Sequence, residues 1–405
     1  MIAPVLIALV VLLLVAKLGG DLFERLGQPA VLGELLFGVV LGNLGLIGFE
    51  RLDHLKDDFA IELLAELGVI LLLFEVGLES NLREMLSVGL SSLLVAVLGV
   101  VVPMILGLGV SEWFRPGASF YFHLFVGATL SATSVGITAR VLQDLGRSQT
   151  REARIVLGAA VIDDVLALVV LATVTGLITA AAGGGAGVSV GMVALIVGKA
   201  FGFVAGSVAI GYVASPVVLR LAARFRVRGM LLTTSLLMCF LLAYLAHQVG
   251  LAPIVGAFAA GLIIDDHAEA FRAHGGTTLH ETLSPLVTFL VPLFFVRMGL
   301  LVDLQGMGNF HVVEFAAVLT AAALIGKQVC ALGVRERGIN RLAVGIGMIP
   351  RGEVGLIFGN IGAAMLIDGK PVIDPEEFSS IVIMVMITTL VTPPLLRWSF
   401  ARGKS

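Results

Sequence analysis

The sequence predicts an all-α polytopic membrane protein of thirteen transmembrane helices: six, a linker helix and six more, with two of the helices discontinuous. Three observations predict it. The chain is 58% hydrophobic and only 14% charged, with a mean hydropathy of +1.05, well beyond a soluble domain. Apolar runs of about twenty residues recur along its length, each able to carry an α-helix across a hydrocarbon layer about 30 Å thick. The runs are continuous rather than alternating, so helices and not barrel strands are implied. Finally, Lys and Arg sort into alternate loops.

The first run, near 2 to 16, has no basic leader and no small-residue cleavage site, and reads as a retained helix. Charges, prolines and glycines then place helices near 30 to 49, 59 to 78, 89 to 110, 119 to 139, 155 to 181 and 187 to 219. The remaining six lie near 229 to 247, 251 to 264, 281 to 301, 311 to 334, 342 to 366 and 378 to 397. With the N-terminus outside, 18 cations fall in inner loops and the C-terminal tail, against 4 outside: Arg51, Lys56, Arg115 and Lys370. This bias predicts a cytoplasmic C-terminus, and a multi-pass protein of the cell inner (plasma) membrane is expected. Four of the 26 cations remain inside helices: Lys199, Arg297, Lys327 and Arg351. Cys239 and Cys330 lie in apolar runs and read as buried free thiols.

The chain echoes itself. "GELLFGVVLGN" at 33 to 43 is matched by "GAFAAGLIIDD" at 256 to 266, and "FEVGLESNL" at 74 to 82 by "VRMGLLVDL" at 296 to 304. The predicted layout is repeat one over about 1–185, the linker helix over about 187–222 and repeat two over about 229–400. An odd number of spans before the second repeat inverts it, the plan of secondary transporters whose site lies near the midplane at broken helices. Two segments in equivalent fifth positions suit such breaks. "ATLSATSVGITAR" at 128 to 140 is dense in Ser, Thr and Gly, and "GIGMIPRGEVG" at 345 to 355 centres on Pro350, which has no N–H to donate.

Asp163 and Asp164 stand side by side in "GAAVIDDVLALVV". A charge in mid-membrane costs about 2.5–3.5 kcal/mol on insertion scales, so both need partners or cargo. Adjacent helical residues point about 100° apart. One carboxylate can therefore pair with a cation while the other faces a water-filled cavity. Lys327 is the natural partner, with snorkelling to the interface as the plainer reading. The carboxylate in the cavity would hold a proton or a small cation, and competition for one site gives exchange. Sodium needs several oxygen ligands, which Thr133 and Ser134 at the nearby break can supply. Arg351 and Glu353 read as structural charges at the helix crossing, each neutralising a helix end or pairing across the crossing, with a direct part in transport the less favoured role. Lys199 reads as a snorkelling or lipid-facing residue. Glu75 and Arg297, at matching places in the two repeats, are expected to form an inter-helix ion pair. His267, His274 and His280, with Asp265, Asp266, Glu269 and Glu281, read as a solvated loop, with pH sensing as the less favoured role.

"ATSVGITARVLQDLG", "GAAVIDDVLALVVL", "GLAPIVGAFAAGL" and "PRGEVGLI" resemble the bacterial NapA-like sodium/proton antiporters of the monovalent cation:proton antiporter superfamily, and more distantly the Kef potassium efflux systems. The resemblance covers nearly the whole chain. It implies crossed, broken helices in a core that moves against a dimerising part as an elevator. The core would span about 89–181 and 311–400, and the dimerisation part about 1–78 and 229–301. It implies Asp164 as carrier of sodium and protons, Asp163 paired with Lys327, a homodimer, and electrogenic exchange. Glu75 and Arg297 depart from the uncharged residues often found there, and the nucleotide-binding domain of Kef systems is absent from the chain. The partners expected are a monovalent cation, protons and the lipid bilayer, with no nucleic acid, no cofactor and no enzymatic activity. An intramembrane aspartyl protease is disfavoured because neighbouring aspartates diverge instead of sharing a proton about 3 Å apart. A potassium/proton antiporter stays open, and less so a sodium-coupled symporter, for which no larger pocket is signalled.

Overall fold

Backbone in hydrocarbon must satisfy its own hydrogen bonds, and apolar sequence here folds into helix almost throughout. The computed structural model describes residues 2–48, 55–56, 58–79, 87–181, 190–225, 227, 229–264, 278–302, 310–367 and 370–402. Its helices are α1 (Ile2–Arg25), α2 (Ala30–Gly42), α3 (Phe59–Glu79), α4 (Gly89–Phe114), α5 (Phe120–Ser131), α6 (Val135–Asp144), α7 (Arg151–Ala181) and α8 (Val190–Ala222). They continue with α9 (Met230–Gln248), α10 (Pro253–Ile263), α11 (Leu279–Leu300), α12 (Phe310–Cys330), α13 (Arg341–Gly347), α14 (Gly352–Ala364) and α15 (Pro375–Arg402). Among the described residues nine helical stretches are long and apolar enough to cross a membrane, α5 and α6 counting as one, and α2 and α10 are shorter apolar helices.

Several boundaries move for physical reasons. Helix α1 continues beyond the apolar run to Arg25, whose guanidinium pairs with Asp21 one turn earlier at 2.9 Å. Helix α6 continues through Arg140 to Asp144. A small antiparallel hairpin, Leu366–Ile367 with Lys370–Pro371, follows α14; two-residue strands leave no periodicity to read.

The α5–α6 stretch is the most enclosed of the nine, with 89% of its apolar window buried against 17% for α8. Around it, glycines set how closely helices approach. On one side, α1 meets α2 at Gly19 and Gly33, α2 meets α11 at Gly38 and Gly42, α3 meets α11 at Gly68 and α10 at Gly77, and α10 meets α9 at Gly256. At each a side chain would collide with facing backbone, the small-residue seam typical of membrane helices. On the other side, α4 and α5 join at Gly107 and Gly127, Gly326 of α12 sits on Pro103 of α4, α4 packs on α7, and α12 packs on α15. Between these two groups Gly27 and Gly136 face side chains, those of Arg397 and of Val69 and Phe294, as Gly355 and Gly359 do within the second group.

A Cβ at Gly68 would stand 2.5 Å from the Leu290 carbonyl oxygen. Gly68→Ala is therefore expected to cost about 1–3 kcal/mol by overpacking, read as a lowered melting temperature in detergent. Gly202→Ala in α8, where a Cβ meets nothing within 4 Å, should leave it unchanged or slightly raised.

Candidate functional site

Two helices break at the same place. Helix α5 starts under a Ser119 cap that accepts from the Phe122 N–H, and stops at Ala132, whose backbone is extended; the chain stays extended at Ser134 before α6 begins. Helix α13 starts under the Asn340 side chain, which accepts from the Ala343 N–H, and ends at Met348. Pro350 then prevents continuation, and Gly352 opens α14 at φ 48°, in the left-handed region open to glycine. The breaks are joined: the Ser134 N–H donates to the Pro350 carbonyl at 2.8 Å, and the Thr138 hydroxyl donates to the Gly347 carbonyl at 2.6 Å. A Cβ on Gly352 would lie 2.7 Å from the Ser134 side chain.

Interrupted helices leave carbonyls at their C-terminal ends that need donors. At the end of α5, Lys327 from α12 donates to the Ser131 carbonyl at 2.8 Å and to the Thr133 hydroxyl at 2.7 Å, with Asp163 of α7 at 3.8 Å from the same ammonium. Lys327 and Asp163 are 0% and 1% exposed. At the end of α13, the fully buried Arg351 turns back and donates to the Ile349 carbonyl at 2.7 Å. Each break thus holds a buried cation against its loose carbonyls.

Asp164 points elsewhere. It lines a narrow, otherwise apolar cavity with Leu73 of α3, Val135 of α6, Leu157 and Val161 of α7, and Ile254, Val255 and Phe258 of α10. The two carboxylates therefore face different surroundings, Asp163 the cationic helix end and Asp164 the cavity. Thr133 and Ser134 lie at the break and are not among the residues lining that cavity. Among the described residues, no three His, Cys, Asp or Glu side chains converge as a divalent-metal site would require.

The expected Glu75–Arg297 ion pair does not form. Arg297 pairs instead with Glu62 at 2.8 Å, while Glu75 accepts from Gln143 at 2.8 Å and lies 3.4 Å from His280. The reason is geometric. Helices α3 and α11 run antiparallel, so residues at matching places of inverted repeats sit at opposite ends, and Glu62 and Glu75 are separated by about 20 Å of helix at 1.5 Å per residue. His280 and Glu281 belong to the first turn of α11, where Thr278 and Glu281 form a capping box; His267, His274, Asp265, Asp266 and Glu269 lie outside the described residues, as does the Glu353 side chain. Lys199 is exposed on α8.

Sequence reasoning missed a polar group at the far end of α6. Arg140, counted among loop cations, is a largely buried helical residue 3.0 Å from Asp144 and 3.9 Å from Glu34 of α2. Asp144 also accepts from the Val31 N–H at 3.3 Å. Glu75, Arg140, Gln143 and His280 line an open polar vestibule. Glu34, alone among apolar residues in "AVLGELLFG", was the available signal.

A family model described as "Sodium/hydrogen exchanger, transmembrane" matches residues 9–401. The chain is 39% identical to the high-affinity Na+/H+ antiporter NhaS3 of Synechocystis sp., covering 99% of this chain and 91% of that protein. It is 35% identical to the Na+/H+-K+ antiporter GerN of Bacillus cereus, covering 96% and 94%. The fold is similar to that of the sodium proton antiporter MjNhaP1 from Methanocaldococcus jannaschii, with a TM-score of 0.69 at 15% identity over 100% of this chain and 97% of that one.

Proposed function

Because the chain belongs to the sodium/hydrogen exchanger family, we propose that it exchanges sodium, or lithium, for protons across the membrane, with Asp164 as the shared carrier. The observation that carries this reading is the divergence of the two aspartates beside two joined helix breaks. Asp163 is neutralised by Lys327, and Asp164 lines the cavity. One carboxylate that holds either a proton or a cation, never both, couples their movements. Thr133 and Ser134, at the adjacent break, would supply hydroxyl and carbonyl oxygens to complete the cation's shell. Lys327 and Arg351 hold the ends of the broken helices together, with Glu353 on the first turn of α14.

We read thirteen spans: the nine long ones, with α2, α3, α10 and the broken α13–α14 pair. They form two inverted repeats about α8, N-terminus outside and C-terminus in the cytoplasm, in the inner membrane. The glycine seams support two rigid parts, α1–α3 with α9–α11 and α4–α7 with α12–α15, the second sliding as an elevator along side-chain contacts. A homodimer through the first part and electrogenic exchange complete the proposal. Potassium in place of sodium is the second reading, favoured by the name of the Bacillus cereus relative.

The test is proton flux in proteoliposomes reported by a lumenal pH dye, with sodium, lithium and potassium added in turn. Sodium and lithium are expected to drive flux. Flux driven by potassium alone would transfer the protein to the second reading, and no cation-dependent flux would overturn both.

A further inference from the structure

We propose that the end of α6 forms a latch between the two sliding parts, made of Arg140, Gln143 and Asp144 against Glu34, Val31, Glu75 and His280, which must open in every transport cycle. The proposal rests on the exchange reading above.

Three polar residues within one and a half turns of α6 each reach across to the other group of helices. Gln143 donates to Glu75 of α3 at 2.8 Å, and Glu75 is held in turn by His280 of α11 at 3.4 Å. Asp144 accepts from the backbone of α2 at 3.3 Å, and Arg140 stands between Asp144 and Glu34 at 3.0 and 3.9 Å. Nearer the break the same face of α6 is apolar, Val135 and Gly136 lying among Val69, Leu73 and Phe294. The two stretches respond differently to sliding. Apolar contacts are non-directional and can be traded for equivalent ones as α6 shifts. Hydrogen bonds fail once distance or angle departs from a narrow range. The polar end therefore carries the positional preference, and the latch favours the arrangement seen here over the one reached after sliding. Because α6 begins at the break beside Asp164's cavity, where Val135 is part of the wall, a displacement released at Gln143 reaches the cation site along a single rigid element.

Two experiments test this. In the first, Glu75 and Gln143 are both replaced by Cys and bridged by a short bis-thiosulfonate reagent that reductant removes; the native Cys239 and Cys330 are buried, and wild type treated alike gives the background. Bridging should stop cation-driven proton flux and reduction should restore it. A bridged protein, verified by mass, that exchanges at the unbridged rate overturns the latch while leaving the exchange function standing. The second needs no transport. Gln143→Leu removes one donor from the latch, and a reporter cysteine in Val161→Cys reads the cavity. The rate at which a water-soluble maleimide labels that reporter should change about three- to ten-fold when Gln143→Leu is added, the population shift expected for one hydrogen bond, with the melting temperature held within a few degrees. An unchanged labelling rate overturns the latch even if the paired-cysteine protein does not fold. Wild-type protein with no cation-dependent flux but a Gln143-dependent labelling rate would overturn the exchange reading and keep the latch.

Discussion

Asp164→Asn is expected to reduce sodium-driven proton flux in proteoliposomes to that of protein-free vesicles. Asn matches Asp in size and keeps an oxygen toward the cavity, so the walls formed by Leu73, Val135, Val161 and Phe258 need not move. It can neither gain nor lose a proton in the working range nor offer a full negative charge to a cation, and both halves of the cycle therefore fail together. The buried ion pair is left intact, because Asp163 and not Asp164 makes it with Lys327. The variant should purify in normal yield, which separates loss of transport from loss of fold. Substantial sodium-driven flux in the variant would remove Asp164 from the carrier role.

Lys327→Ala is expected to be the most destabilising single change at the site. The ammonium is fully buried, donates to Ser131 and Thr133, and stands 3.8 Å from Asp163. Its loss leaves Asp163 as a buried charge without its cation and the end of α5 without a donor. Breaking a buried pair from one side costs about 3–5 kcal/mol, seen as a large fall in melting temperature or as aggregation on size-exclusion chromatography. Asp163→Asn combined with Lys327→Met removes both charges while keeping the volume of the lysine stem, and should recover more than half of that loss. If the double variant is no more stable than Lys327→Ala alone, the damage comes from the unsatisfied carbonyl of Ser131 and not from the stranded carboxylate.

Much of the site was legible because it violates rules that membrane sequence otherwise keeps. Charges at Asp163, Asp164, Lys327 and Arg351, and a proline between glycines at 350, are costly in hydrocarbon, so each announced a break or a partner. Partner assignment across helices was less legible. Arg297 and Glu75 have equivalent places in the two repeats, yet inversion sends equivalent places to opposite ends of antiparallel neighbours, and Glu62 takes the pair instead. The polar end of α6 was hidden for another reason. A charged residue after an apolar run reads as a loop, and burial of Arg140 depends on α2, which is distant in sequence and supplies Glu34. Similarly, nothing local distinguishes the lysine that neutralises Asp163 from one that reaches the lipid surface, because the discriminating neighbours, Ser131 and Thr133, belong to another helix.

The Asp163–Lys327 pair also bears on how the molecule is made. The ribosome delivers α7 long before α12, so a span carrying two carboxylates must enter the bilayer while its cation has not yet been synthesised. On insertion scales each such charge costs about 2.5–3.5 kcal/mol at mid-membrane, offset only by the long apolar flanks of α7. During that interval the first half is an unfinished client, open to capture by quality-control proteases or to slippage toward the aqueous face. Arrival of Lys327 closes the interval and converts a marginal insertion into a committed one, which makes the last third of the chain a checkpoint for assembly as well as a part of the transporter.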